Sequence, residues 1–131
     1  MSNQGKFRAL DELEDYELDP NRTDPRRFAV LGAHDFVLGR VRRLLVSVER
    51  REVVYLVVST AVSNFKDGKG EERLVPIAWA ELVRQRRQVR LPQLSSFGFR
   101  RLPLYHPGGP VPAHVDFPQP MPEEIEYWDI A

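Results

Sequence analysis

The sequence predicts an all-β domain, a barrel or a sandwich of short strands, flanked by polar arms. Residues 53–58 read Val-Val-Tyr-Leu-Val-Val, apolar at every position and therefore on both faces of a strand. Such a run suits the interior of a closed or sandwiched sheet. Other short apolar runs alternate with turn-forming residues, and no stretch carries the spacing of a long amphipathic helix. A chain of 131 residues is expected to form one domain. Polar ends leave it a small core with a thin stability margin.

Each element follows from local signals. Phe7, Leu10 and Leu13 fall at three-residue steps, with Tyr16 and Leu18 beyond. That spacing predicts one or two helical turns with an apolar stripe, in an arm that either docks by these anchors or stays unfolded. The prolines of Asp19–Arg26 then break any helix. Phe28–Leu31 predicts a short strand and Gly32–Asp35 a turn. Val37–Val48 predicts a long, half-exposed strand bulged near Leu44, where the alternation slips. Glu49–Glu52 is a charged turn, and residues 53–58 form the central strand.

Asp67-Gly68 and Gly70 mark a hairpin loop within Ser63–Glu72. Arg73–Ile77 resumes a strand whose Pro76 indicates an edge or a bulge. Trp79–Val83 suggests one helical turn, with Trp79 in the core, and Gln88–Leu91 a short strand. Ser95 or Ser96 offers an N-cap for a short helix containing Phe97, Phe99 and Leu102. Seven prolines between 103 and 122 favour extended chain over a ladder.

Net charge is zero but segregated. Residues 1–25 carry three cations and seven anions, residues 26–105 sixteen and seven, and residues 106–131 none and five. We therefore read an acidic arm at 1–25, a basic body at 26–105 and a Pro-rich acidic tail at 106–131. The arms either neutralise the body or tune its contact with an anionic partner. The absence of cysteine excludes disulfides and thiolate chemistry. No apolar run nears the ~20 residues that span a bilayer, and the N-terminus lacks a signal-peptide core. The expectation is a soluble, cytoplasmic protein.

The order of these features resembles a known family. Asp24-Pro25-Arg26 leads into Phe28-Ala29-Val30-Leu31-Gly32, then Asp35-Phe36-Val37-Leu38-Gly39-Arg40-Val41. Leu44-Leu45-Val46, Val54-Tyr55-Leu56-Val57-Val58, Leu74-Val75-Pro76-Ile77 and Leu91-Pro92 through Leu102-Pro103-Leu104-Tyr105 complete the series. Roughly residues 7–107 are similar to the PRC-barrel domain, and within it to soluble relatives of the photosynthetic reaction-centre H subunit. The resemblance implies a small, mostly antiparallel barrel of about six strands with short helical turns and extended arms. It also implies a module that acts by binding. Ser47 and Arg50 stand near where the H subunit places acids, so proton conduction is not expected. Gly32 and Gly39 are expected at tight turns or at close strand approaches, where no Cβ is needed.

Catalytic patterns are missing. His34, His106 and His114 lack partners at metal-ligand spacing, and Ser95, His106 and Asp116 compose a triad only on paper, without a nucleophile elbow. Glu71-Glu72 and Glu123-Glu124 sit in solvated segments, and the glycines form no phosphate cradle. The reading is a non-catalytic protein-interaction adaptor, self-associating as a homodimer, with no cofactor and no metal. Candidate contacts are Phe97, Phe99, Arg100 and Arg101, with Tyr127 and Trp128 from the tail. The alternative is RNA or ribosome association through Arg40, Arg42, Arg43 and Arg84, Arg86, Arg87, Arg90. A solvated basic face neutralised by the arms explains the same arginines without nucleic acid.

Overall fold

One sheet organises the chain. The computed structural model describes residues 7–12, 23–66 and 70–118. Their strands are β1 (Phe7–Ala9), β2 (Ala29–Leu31), β3 (Val37–Ser47), β4 (Glu52–Ser59), β5 (Glu72–Pro76), β6 (Glu81–Val83) and β7 (Gln88–Arg90), and one helical turn, α1 (Ser96–Phe99), follows. Their order across the sheet is β5-β4-β3-β2-β7-β6, and β1 also pairs with β3. Among the described residues no ladder joins β5 to β6, so hydrogen bonding does not close the sheet into a barrel. A 3-10 turn at Ile77–Trp79 connects those two strands directly.

Strand β3 holds three partners. Its first half pairs with β2 and its second half with β1, so β1 and β2 lie end to end along one edge while β4 runs along the other. The β3–β4 register slips between Val41 and Arg43 and again between Leu45 and Val46. These are the irregularities that the broken alternation predicts. One pairing departs from the antiparallel expectation. β7 lies parallel to β2, with Ala29 opposite Gln88 and Leu31 opposite Arg90. Parallel neighbours need a long connection, and the whole β3-to-β6 excursion provides it.

The alternation of β4 divides the core in two. Leu56 and Val58 join the inner cluster with Val30, Val41, Val89 and Phe99, whereas Tyr55 and Val57 join the outer one with Leu45, Leu74, Tyr105 and Val111. Both faces are thus buried, as an all-apolar strand requires; each large side chain contributes roughly 1.5–3 kcal/mol before entropy. Leu94, Phe99 and Leu102 complete the inner cluster. The outer cluster is covered by Ala9 from β1 and by residues 103–115. Leu74 N–H donates to the Pro103 carbonyl (2.9 Å) and Tyr105 N–H to that of Glu72 (2.8 Å). Val111 is buried, and the Tyr55 hydroxyl donates to the Pro112 carbonyl. Within the Pro-rich segment, residues 106–109 form a turn in which Gly109 N–H donates to the His106 carbonyl (2.8 Å), and Val111 and Val115 pack into the body.

Two local expectations are corrected. The helical turn expected within residues 7–18 is present as a 3-10 turn at Leu10–Glu12, but Phe7–Ala9 ahead of it form a strand, because β3 offers a ladder and Tyr55 an edge-on ring for Phe7 at 5.9 Å. An isolated two-turn helix has no comparable support. The helical turn expected at Trp79–Val83 lies at Ile77–Trp79, and Glu81–Val83 is drawn into a ladder with β7. A Cβ at Gly32 would stand 2.5 Å from the Leu94 carbonyl oxygen, and one at Gly39 would stand 2.1 Å from that of Ser59. Close approach explains both glycines.

Candidate functional site

The outer face of the sheet has two halves of opposite character. Over β4, β5 and the end of β3 it is apolar and covered, as described above. Over the start of β3, β2 and β7 it is open and cationic. Ala29 has Arg40 beside it on β3 and Gln88 on β7, so one row of residues crosses three strands. At about 4.8 Å per strand, Arg40 and Gln88 are about 10 Å apart. The Arg27 N–H donates to Val41 O (2.7 Å) and Ala29 N–H to Arg87 O (3.2 Å), which joins both arginine clusters through β2.

The bulge between Val41 and Arg43 turns two consecutive arginines toward the same carboxylate. Arg42 Nε and Arg43 Nε each stand 3.6 Å from Glu72 Oε1, and Arg43 Nη1 also reaches Asp11 (3.4 Å). Arg43 Nε and Glu72 Oε1 are buried without a hydrogen bond. Nearby, Arg26 grips Asp24 through Nε and Nη2 at 2.7–3.0 Å. That fork holds the Asp24 carboxyl below the usual carboxylate range and raises Arg26. Two adjoining grooves of about 420 and 470 Å³ share Asp11, Arg27, Arg42 and Arg43 as walls.

The remaining cations of this face differ in their attachments. Arg90 holds Asp35 at 2.6 Å, and the Arg87 guanidinium lies 5.4 Å over the buried Phe28 ring. Arg27, Arg40, Arg84 and Arg86 are exposed and form no ion pair among the described residues. Arg27 and Arg87 also occupy the left-handed backbone region, with φ of 74° and 52°. Such a conformation is uncommon for arginine. Sequence reading overlooked Arg26 and Arg27; their signal is the Pro25 turn leading straight into β2. The sequence suggests Arg100-Arg101 as the link between the two arginine clusters, whereas the parallel β2–β7 ladder links them.

A second surface surrounds α1. Phe97 is 58 % exposed, whereas Phe99 is fully buried against Phe65 (5.9 Å, stacked). Phe99 is therefore the anchor of the turn rather than one of its contacts. The Arg100 guanidinium lies 4.5 Å over the Phe65 ring, and Arg101 is exposed beside it. Pro118 lies against Gly98, and Phe117 meets Trp79 edge-on at 4.9 Å, extending the apolar surface away from Phe97. Tyr127 and Trp128 lie outside the described residues.

The geometry brings no triad together. Ser95 Oγ accepts the Gly98 N–H (2.9 Å), and Asp116 takes His114 rather than His106 (2.8 Å). Among the described residues, no group of three or more histidines and carboxylates could hold a metal ion, and no helix is long and apolar enough to cross a membrane. No protein-family model matches the chain, and no curated protein matches it.

Proposed function

We propose that the chain is a non-catalytic PRC-type barrel adaptor of the cytoplasm that works by protein–protein contact and pairs with a second copy of itself. The burial of Leu94, Phe99 and Leu102 in the inner cluster supports the barrel reading. So does the direct 3-10 link from β5 to β6, which brings the outer strands' connection across the gap.

One observation carries the adaptor reading: Phe97 is an exposed aromatic on a fixed mount. Ser95 caps the turn, buried Phe99 pins it, and Arg100 and Arg101 flank it. Aromatic and arginine side chains at low conformational cost are the composition that dominates protein interfaces. The patch runs on through Pro118 and Phe117 to half-buried Trp79.

Light scattering across a concentration series tests this. The expected result is a dimer for the native chain and a monomer for Phe97→Ala with an unchanged melting profile. A native chain that stays monomeric throughout the series, or a Phe97→Ala variant that still dimerises, would reject self-pairing through this patch.

A further inference from the structure

We propose that the open cationic half of the outer face, over β3, β2 and β7, binds an acidic polypeptide segment of a partner protein. This surface lies on the opposite side of the sheet from α1, and the inference stands whether or not the chain pairs through Phe97.

Charge is the first argument. Arg27, Arg40, Arg84 and Arg86 point to solvent and form no ion pair among the described residues, although most other arginines of the body hold a carboxylate. Arg84 and Arg86 lie on the 3-10 turn that leads into β7, and the parallel ladder sets the end of that turn beside the start of β2, where Arg27 stands and Ala29 faces Arg40. Collected like charges repel one another, and an anionic ligand removes that repulsion.

The type of anion follows from the surroundings. Arginines at the rim already select carboxylates: Arg26 grips Asp24 as a fork, Arg90 takes Asp35, and Arg43 takes Asp11. A guanidinium fork matches a carboxylate in shape as well as charge. Single-stranded nucleic acid needs aromatic faces on which bases stack. Phe28, the ring that Arg87 covers, is buried in the inner cluster and offers no face for stacking. Asp11 and Asp24 also line the grooves, and their fixed charges repel a continuous phosphate backbone more than a peptide whose carboxylates can take alternate positions. An acidic peptide fits these constraints and a polynucleotide does not.

The test is fluorescence anisotropy on the full chain with two labelled probes of equal charge, an oligoglutamate peptide and an oligouridylate. The expected result is peptide binding at low salt that weakens as salt rises, with weaker oligouridylate binding. Arg40→Glu and the pair Arg84→Glu, Arg86→Glu each lower peptide affinity by about tenfold or more, since they replace attraction with repulsion. These side chains hold no internal ion pair among the described residues, so circular dichroism and melting stay native. Phe97→Ala binds the peptide as the native chain does. Absence of peptide binding at low salt, unchanged binding by the reversed variants, or tighter oligouridylate binding would each overturn the proposal.

Discussion

At Gly39, strand β3 passes so near β4 that a methyl group would sit 2.1 Å from the Ser59 carbonyl oxygen. The obstacle is backbone inside a ladder, since Arg40 pairs with Ser59 itself, so it cannot swing aside. Gly39→Ala is expected to lower stability by roughly 3 kcal/mol, the upper range for an overpacked core. Urea unfolding with an unchanged m-value checks it; a midpoint equal to native would disprove the close approach. The same scale explains why Phe97 and Phe99 have opposite fates two residues apart. One turn of helix points them to opposite sides, and capping fixes which side is which.

Helix α1 is an element of four residues, too short to persist through its own hydrogen bonds. Its Ser95 cap and the burial of Phe99 hold it. Ser95→Ala is expected to destabilise the protein by about 1 kcal/mol, read as a lowered melting temperature, and to weaken the pairing attributed to Phe97. A variant as stable as native would show that packing alone sets the turn. The cap was legible as one of two serines ahead of Phe97, Ser95 or Ser96, and the Gly98 N–H bond to Ser95 Oγ decides between them. Strand β4 was legible too, since its unbroken apolar run admits little else than burial on both faces. Strands β1 and β6 were not legible: three residues carry no periodicity, and only their ladders with β3 and β7 define them. Strands β2 and β7 were legible as short apolar runs, but nothing local to either run specifies its partner, so their parallel pairing and the union of the two arginine clusters were hidden.

At the scale of the molecule, the outer apolar half stays covered by residues 103–115. One of the polar ties of this segment is the Tyr55 hydroxyl on the Pro112 carbonyl. Burial raises the Tyr55 phenol above its usual range. The tie therefore contributes in full below the ordinary tyrosine range and is lost as pH climbs through the raised native value, because a phenolate cannot donate. Tyr55→Phe should cost about 1 kcal/mol near neutrality and should flatten the alkaline fall of stability. Melting curves from neutral to alkaline pH measure both, and an equally steep alkaline loss in the variant would refute the assignment.

The parallel placement of β7 beside β2 has a consequence for the time at which the cationic row comes into being. Its two rails are far apart along the chain, and closing so wide a loop is a late event in folding. A ribosome that has released only the first half of the polypeptide presents Arg40 without Arg87 alongside. Recognition of an acidic ligand is thus withheld from incomplete chains and granted with the last ladder, which makes the row a signature of finished folding.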